Sequence, residues 1–184
     1  MNRPFSIASG LSILLCTIAA TAQSAPASQE YVEPATVPAA IALSAGQISV
    51  LRVHAFGYQV YQCSMVSGAP AWTLTGPDAN LFDGKQNSMG THFAKAGSPS
   101  WRLNDGSQIS GKKTASAPAP DASAIPWLLL TVVSHSGKAG RLTPVTTVQR
   151  VNTSGGAAPA TGCDATSQGR TTKSPYSADY YFSK

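Results

Sequence analysis

Charge is what this sequence has least of. Only 11% of its 184 residues are Asp, Glu, Lys or Arg, against about 25% in ordinary globular domains. The basic residues are scattered, and the one adjacent pair is Lys112-Lys113. A nucleic-acid interface needs a dense basic stripe with interleaved aromatics, so no nucleic-acid partner is expected. The formal excess of +5 is a mild pull toward anionic partners such as envelope polymers.

The signatures of common enzyme chemistry are missing too. No G-x-S-x-G elbow presents a nucleophilic serine. No G-x-G-x-x-G or Walker loop cradles a phosphate, and neither C-x-x-C nor H-E-x-x-H occurs. No cofactor is expected. Glutamate is confined to Glu30 and Glu33, in a Pro/Ala-rich stretch. A paired-carboxylate mechanism would therefore depend on Asp78, Asp83, Asp105, Asp121, Asp164 or Asp179. The first five sit beside Gly, Pro or loop residues and read as structural, whereas Asp179 lies within a strand-like run.

Long apolar runs are also lacking after the first 22 residues, so no membrane-spanning segment is expected. Met1 to Pro4 carries Arg3, Phe5 to about Ala20 is apolar, and Ala20-Thr21-Ala22 offers a small-x-small cleavage site. This reads as a signal peptide over residues 1–22 and an exported, periplasmic or extracellular, protein. A lipoprotein anchored at Cys16 is disfavoured because Leu15 stands where Gly or Ala belongs. Removal of the signal leaves Cys63 and Cys163, an even pair in an oxidising compartment, and a disulfide between them is expected.

What is present is β punctuation. Residues 23–40 form a Pro/Ala-rich lead-in, in which Pro34 and Pro38 break any helix. From residue 41 to 184, short Val-, Ile- and Tyr-rich runs recur at 8–12-residue spacing, with Gly, Pro and Asp-Gly between them. That spacing predicts a single all-β domain, an antiparallel sandwich or barrel of about 8–10 short strands. Gly57 is expected to separate two strands. The unalternating run Ile125 to Val133 is expected to be a central strand buried on both faces, with a short buried helix as the alternative that periodicity alone leaves open. "LFDGKQ" and "LNDGSQ" echo each other at a shift of 22 residues. Asp83-Gly84 and Asp105-Gly106 would then hold the corners of two type I′ hairpins.

Few residues remain for a site. His92 and Trp101 fall on strands flanking these hairpins, and Asp105, Arg150 and Asp179 are the polar candidates around them. Alternation in "YSADYYF" puts Tyr176, Ala178, Tyr180 and Phe182 on one face, with Asp179 on the other, where it is expected to pair with Arg150. His54, His92 and His135 follow no ligand spacing, so no metal site is expected. Trp72, Trp101 and Trp127 could stack on a sugar but belong more naturally to a core. Asn152-Thr153-Ser154 matches a glycosylation sequon.

Six motifs occur in order: "GYQVYQC", "GTHF", "SPSWRLNDGS", "AIPWLLL", "VQRVNTSGGAAPATGCD" and "PYSADYYF". Together they resemble a family of secreted bacterial and fungal proteins known as domain of unknown function 3455, over nearly all of the chain after Ile41. The resemblance carries no activity, cofactor or catalytic residue with it.

Three readings follow. The first is an exported, non-catalytic β module that binds a glycan or other envelope polymer. The second is an enzyme with an unfamiliar constellation around His92, Arg150 and Asp179. The third is a secreted inhibitor presenting the loop "SGGAAPATGC", anchored by Cys163.

Overall fold

The structure is a computed structural model that describes Met1 and residues 36–184. The signal-peptide segment lies outside the described residues, as do the glutamates and most of the lead-in. Eight antiparallel strands are joined in sequence order, and the last returns to pair with the first. They are β1 (Ser49–Val66), β2 (Ala69–Phe82), β3 (Ser88–Lys95), β4 (Ser98–Leu103), β5 (Ser107–Ala117), β6 (Trp127–Gly137), β7 (Thr147–Gly155) and β8 (Thr171–Ser183). The fold is a closed up-and-down barrel, which removes every sheet edge.

Period-two alternation decides what goes inside. On β1, Leu51, Val53 and Ala55 are buried while Arg52 and Phe56 are exposed. Their partners on β8 are Phe182, Tyr180 and Ala178. These residues join Leu81, Trp101, Leu103, Ile109, Leu130, Leu142, Val145 and Val148 in one interior core. A smaller cluster lies outside the wall. There a 3₁₀ turn at Ala39–Ile41 lays Ile41 over Ala117, Val151 and Tyr181. Gln149 Nε2 donates to the Ile41 carbonyl at 2.7 Å and ties the turn down.

Several local expectations are corrected. Gly57 does not divide two strands; β1 runs through it for 18 residues. Glycine is required there by the neighbouring strand, since a Cβ would sit 2.3 Å from the Asp78 carbonyl oxygen and 2.5 Å from Ala79 Cα. Asp78 itself is a strand residue of β2. It bonds Lys173 across the outer surface at 2.7 Å.

The Asp-Gly pairs do not hold type I′ corners. Gly106 N donates to the Leu103 carbonyl at 3.0 Å with Gly106 at φ +87°. This is a type I turn closed by a left-handed glycine. Asp83 closes a longer loop, accepting from the backbone N–H groups of Lys85 and Asn87. The type I′ turns are Ser67-Gly68, at φ 48° and 85°, and Ala96-Gly97, at φ 49° and 78°. The run Ile125 to Val133 is not buried on both faces either. It enters β6 at Trp127, buries Leu130 in the barrel and leaves Val133 56% exposed.

Cys63 and Cys163 form the expected disulfide, with 5.3 Å between their Cα atoms. It fastens the segment before β8 to the end of β1. Backbone bonds from Cys63 N to Arg170 O and from Gly169 N to Cys63 O support the same junction.

Candidate functional site

Two loops close one end of the barrel, residues 118–126 between β5 and β6 and residues 156–170 between β7 and β8. An Ala124–Gly156 bridge and a bond from Ile125 N to Gly155 O join them. Beneath these loops the interior turns from aliphatic to aromatic and polar.

The aromatic part is built by three strands. His92 on β3 pairs with Trp101 on β4, and their rings stack at 4.5 Å with 7° between planes. Tyr180 meets both edge-on, at 4.8 Å from His92 and 5.5 Å from Trp101, and Phe182 closes on Trp101 at 5.9 Å. His92 is 2% exposed. Its Nδ1 lies 2.8 Å from the Ser100 carbonyl oxygen; a carbonyl only accepts, so Nδ1 carries the proton. Burial brings the His92 pKa down to about 3; the Ser100 bond opposes this and the Arg150 charge adds to it. The imidazole is neutral at physiological pH.

The polar part comes from β1, β7 and β8. Gln59 and Tyr61 continue the inward register of β1, and Arg150 pairs with Tyr180 across β7 and β8. Burial raises the pKa values of Tyr61, Tyr176 and Tyr180, while the positive charge of Arg150 opposes each rise. The Arg150 guanidinium therefore acts on the barrel interior. Its Nη2 and Nε donate to the Pro126 carbonyl at 2.8 and 3.2 Å. Among the described residues it has no carboxylate partner.

The Tyr61 hydroxyl donates to the Gly156 carbonyl at 2.7 Å. The Tyr176 hydroxyl lies beside that of Tyr180 and the Gln59 amide, and the Tyr180 hydroxyl beside Arg150. None of these neighbours is set for a well-formed hydrogen bond. Gln59 Nε2, Trp101 Nε1, Tyr176 OH and Tyr180 OH are all buried without one.

The remaining sequence candidates go elsewhere. Asp179 faces outward, where Arg52 Nη2 and Asn152 Nδ2 reach its Oδ2 at 2.9 Å and His54 Nδ1 its Oδ1 at 3.0 Å. The expected pairing with Arg150 is thus replaced by Arg52, since adjacent residues of a strand point to opposite faces. Burial works against the Asp179 charge, but these three hydrogen bonds outweigh it and lower its pKa. Asp105 lies at the opposite end of the barrel, in the β4–β5 turn, accepting from Ser107 and from Arg141 N. His92, Trp101 and Arg150 are brought together; Asp105 and Asp179 are not.

The other aromatic and histidine candidates also disperse. His54 is outside, and His135 bonds the Val145 carbonyl at 2.9 Å. Trp72 bonds the Thr161 carbonyl at 2.9 Å, and Trp127 packs in the outer cluster. No three His, Cys, Asp or Glu side chains among the described residues could share a metal ion. A shallow hollow of about 260 Å³ between Ser107, Gln108, His135, Lys138 and Thr143 lies at the Asp105 end. Its Ser107, Gln108 and His135 side chains are already hydrogen-bonded within the protein.

Sequence reading missed Gln59, Tyr61, Tyr176 and Tyr180 as site residues. The signal was Gln59 itself, a polar residue at an inward position of an otherwise apolar alternation.

The match to known proteins is to a family model described as "Protein of unknown function (DUF3455)", over residues 44–184. The chain belongs to that family. No curated protein and no solved structure matches the chain. Within this DUF3455 barrel no helix among the described residues is long and apolar enough to cross a membrane.

Proposed function

We propose that this protein is an exported, non-catalytic binding module that takes one small ligand into the barrel end beneath loops 118–126 and 156–170. The observation that carries this is the group of buried, poorly partnered polar atoms on Gln59, Trp101, Tyr176 and Tyr180. Each such atom costs about 1–3 kcal/mol when left without a hydrogen bond. Phe or Leu at these positions would fill a barrel at no such cost. A ligand that bonds these groups offsets the penalty and explains their presence. Native mass spectrometry of protein purified from the exported fraction, without reductant, tests this. The expected spectrum shows a chain beginning near Gln23, two hydrogens light, with a small-molecule adduct that a Gln59→Leu variant loses. A bare wild-type chain counts against the reading.

A second surface supports the glycan partner. Phe56 and Tyr58, 65% and 42% exposed, are successive outward residues of β1. They stand opposite Asn80 and Asp78 of β2; Lys173 bonds Asp78 and lies over the Tyr58 ring, so the Phe56 face and Asn80 are what this surface offers a sugar. Retention on purified envelope polysaccharide should fall in a Phe56→Ser/Tyr58→Ser double variant; equal retention removes this reading.

A further inference from the structure

We infer that the ligand of the barrel end is a small organic carboxylate with a flat or apolar body, an assignment that rests on the binding reading above. Three observations converge on it. The first is the sign of the hydrogen-bonding groups. Gln59 Nε2 and Trp101 Nε1 can only donate, and both are buried without an acceptor at hydrogen-bonding distance. The interior therefore asks for acceptor atoms.

The second is the charge. Arg150 stands opposite the inward-facing Tyr180 across β7 and β8, and among the described residues no ion pair gives its guanidinium a carboxylate. The guanidinium bonds the Pro126 carbonyl and lies beside the Tyr180 hydroxyl, both neutral oxygens where a carboxylate offers two charged ones. An Arg fork engages a carboxylate through two parallel bonds, which are stronger than bonds to a neutral oxygen. His92 is neutral and adds no second cation. One positive charge calls for a monoanion rather than a phosphate dianion.

The third is the wall. Trp101, His92, Tyr180 and Phe182 pack together as one aromatic group, a lining suited to a planar or apolar body behind the charged head.

Trp101 also supplies the readout. The chain has three tryptophans, so its ¹H–¹⁵N spectrum carries three indole signals, and Trp101→Phe assigns that of Trp101. The oxidised protein is titrated with benzoate and octanoate, and separately with benzamide and octanamide, which keep each body and remove the charge. Benzoate or octanoate should shift the Trp101 indole while Trp72, beside the disulfide loop, stays still. The matching amide should bind at least about tenfold more weakly. Arg150→Met should lower carboxylate affinity by a similar factor, Arg150→Lys should retain part of it, and the dispersion of each spectrum reports that the variant is folded. Amides binding as well as carboxylates overturn the ligand class and leave the binding reading standing. If no probe moves the Trp101 signal at about 10 mM, a Kd too weak for any built site, the carboxylate assignment falls, and the native mass spectrum alone decides the binding reading.

Discussion

The imidazole of His92 lies flat on the indole of Trp101, 4.5 Å between centroids and 7° between planes. The pair is sealed inside the barrel with the histidine neutral. Its pKa falls from the ordinary 6.5 to about 3, chiefly through burial. The unfolded chain therefore binds a proton that the folded chain refuses between these two values. Stability due to His92 is fully present above pH 6.5 and is lost as pH falls toward 3, with a slope approaching 1.4 kcal/mol per pH unit, as expected for about one proton. A His92→Phe variant keeps a stacking ring and removes the proton site. Urea unfolding at several pH values between 7 and 5 should show wild type losing stability relative to the variant; parallel pH profiles would disprove the sealed, neutral histidine.

Gly57 should be among the least replaceable residues of the wall. A methyl group there meets the backbone of β2 at Asp78 and Ala79, which cannot move without opening the barrel. Gly57→Ala should cost more than about 3 kcal/mol or abolish folding. Gly84→Ala faces open space and should change the melting temperature little. Similar melting temperatures for the two variants would contradict this account.

The same glycine shows why the fold was only partly legible. Alternation in "SVLRVHAF" and "YSADYYF" gave the all-β class and the faces of β1 and β8, because one residue's burial predicts that of its second neighbour. Gly57 read as a break because glycine weakens a strand locally, while the demand for it comes from another strand. The hairpin corners failed for a related reason. Asp-Gly fits a type I′ turn, but it also fits the last two positions of a type I turn with a left-handed glycine, and register selects between them. For the site, residue chemistry singled out His92, Trp101 and Arg150. Barrel closure, which no local spacing encodes, brought Gln59 and Tyr176 to them and left Asp179 outside.

The Cys63–Cys163 bond fastens the loop over the proposed site to the end of β1. It joins residues 100 apart in sequence, and loss of a native disulfide typically costs about 2–5 kcal/mol. A Cys63→Ser/Cys163→Ser double variant should unfold at correspondingly lower urea concentration. Proteolysis should begin within residues 156–170, whose anchors to Cys63 and Trp72 depend on that junction. First cleavage elsewhere, with residues 156–170 intact, would show that the disulfide is not what secures this loop.

Tyr176 separates a structural role from a binding role most directly. Its hydroxyl is buried without a well-formed hydrogen bond, and burial raises its pKa far enough that it stays protonated throughout the physiological range. Tyr176→Phe removes an oxygen and leaves the ring in place. If that oxygen only filled space, the change would relieve a polar group of poor partnership and stabilise the ligand-free protein by about 1 kcal/mol. If it also holds a ligand, the same variant should lose affinity for benzoate by about three- to tenfold, a single hydrogen bond's worth. Higher stability with weaker binding is the expected combination, since functional sites keep groups that folding alone would discard. Lower stability with unchanged binding would mean that the Tyr176 hydroxyl is part of the barrel's own bonding, and the ligand site would have to be drawn without it.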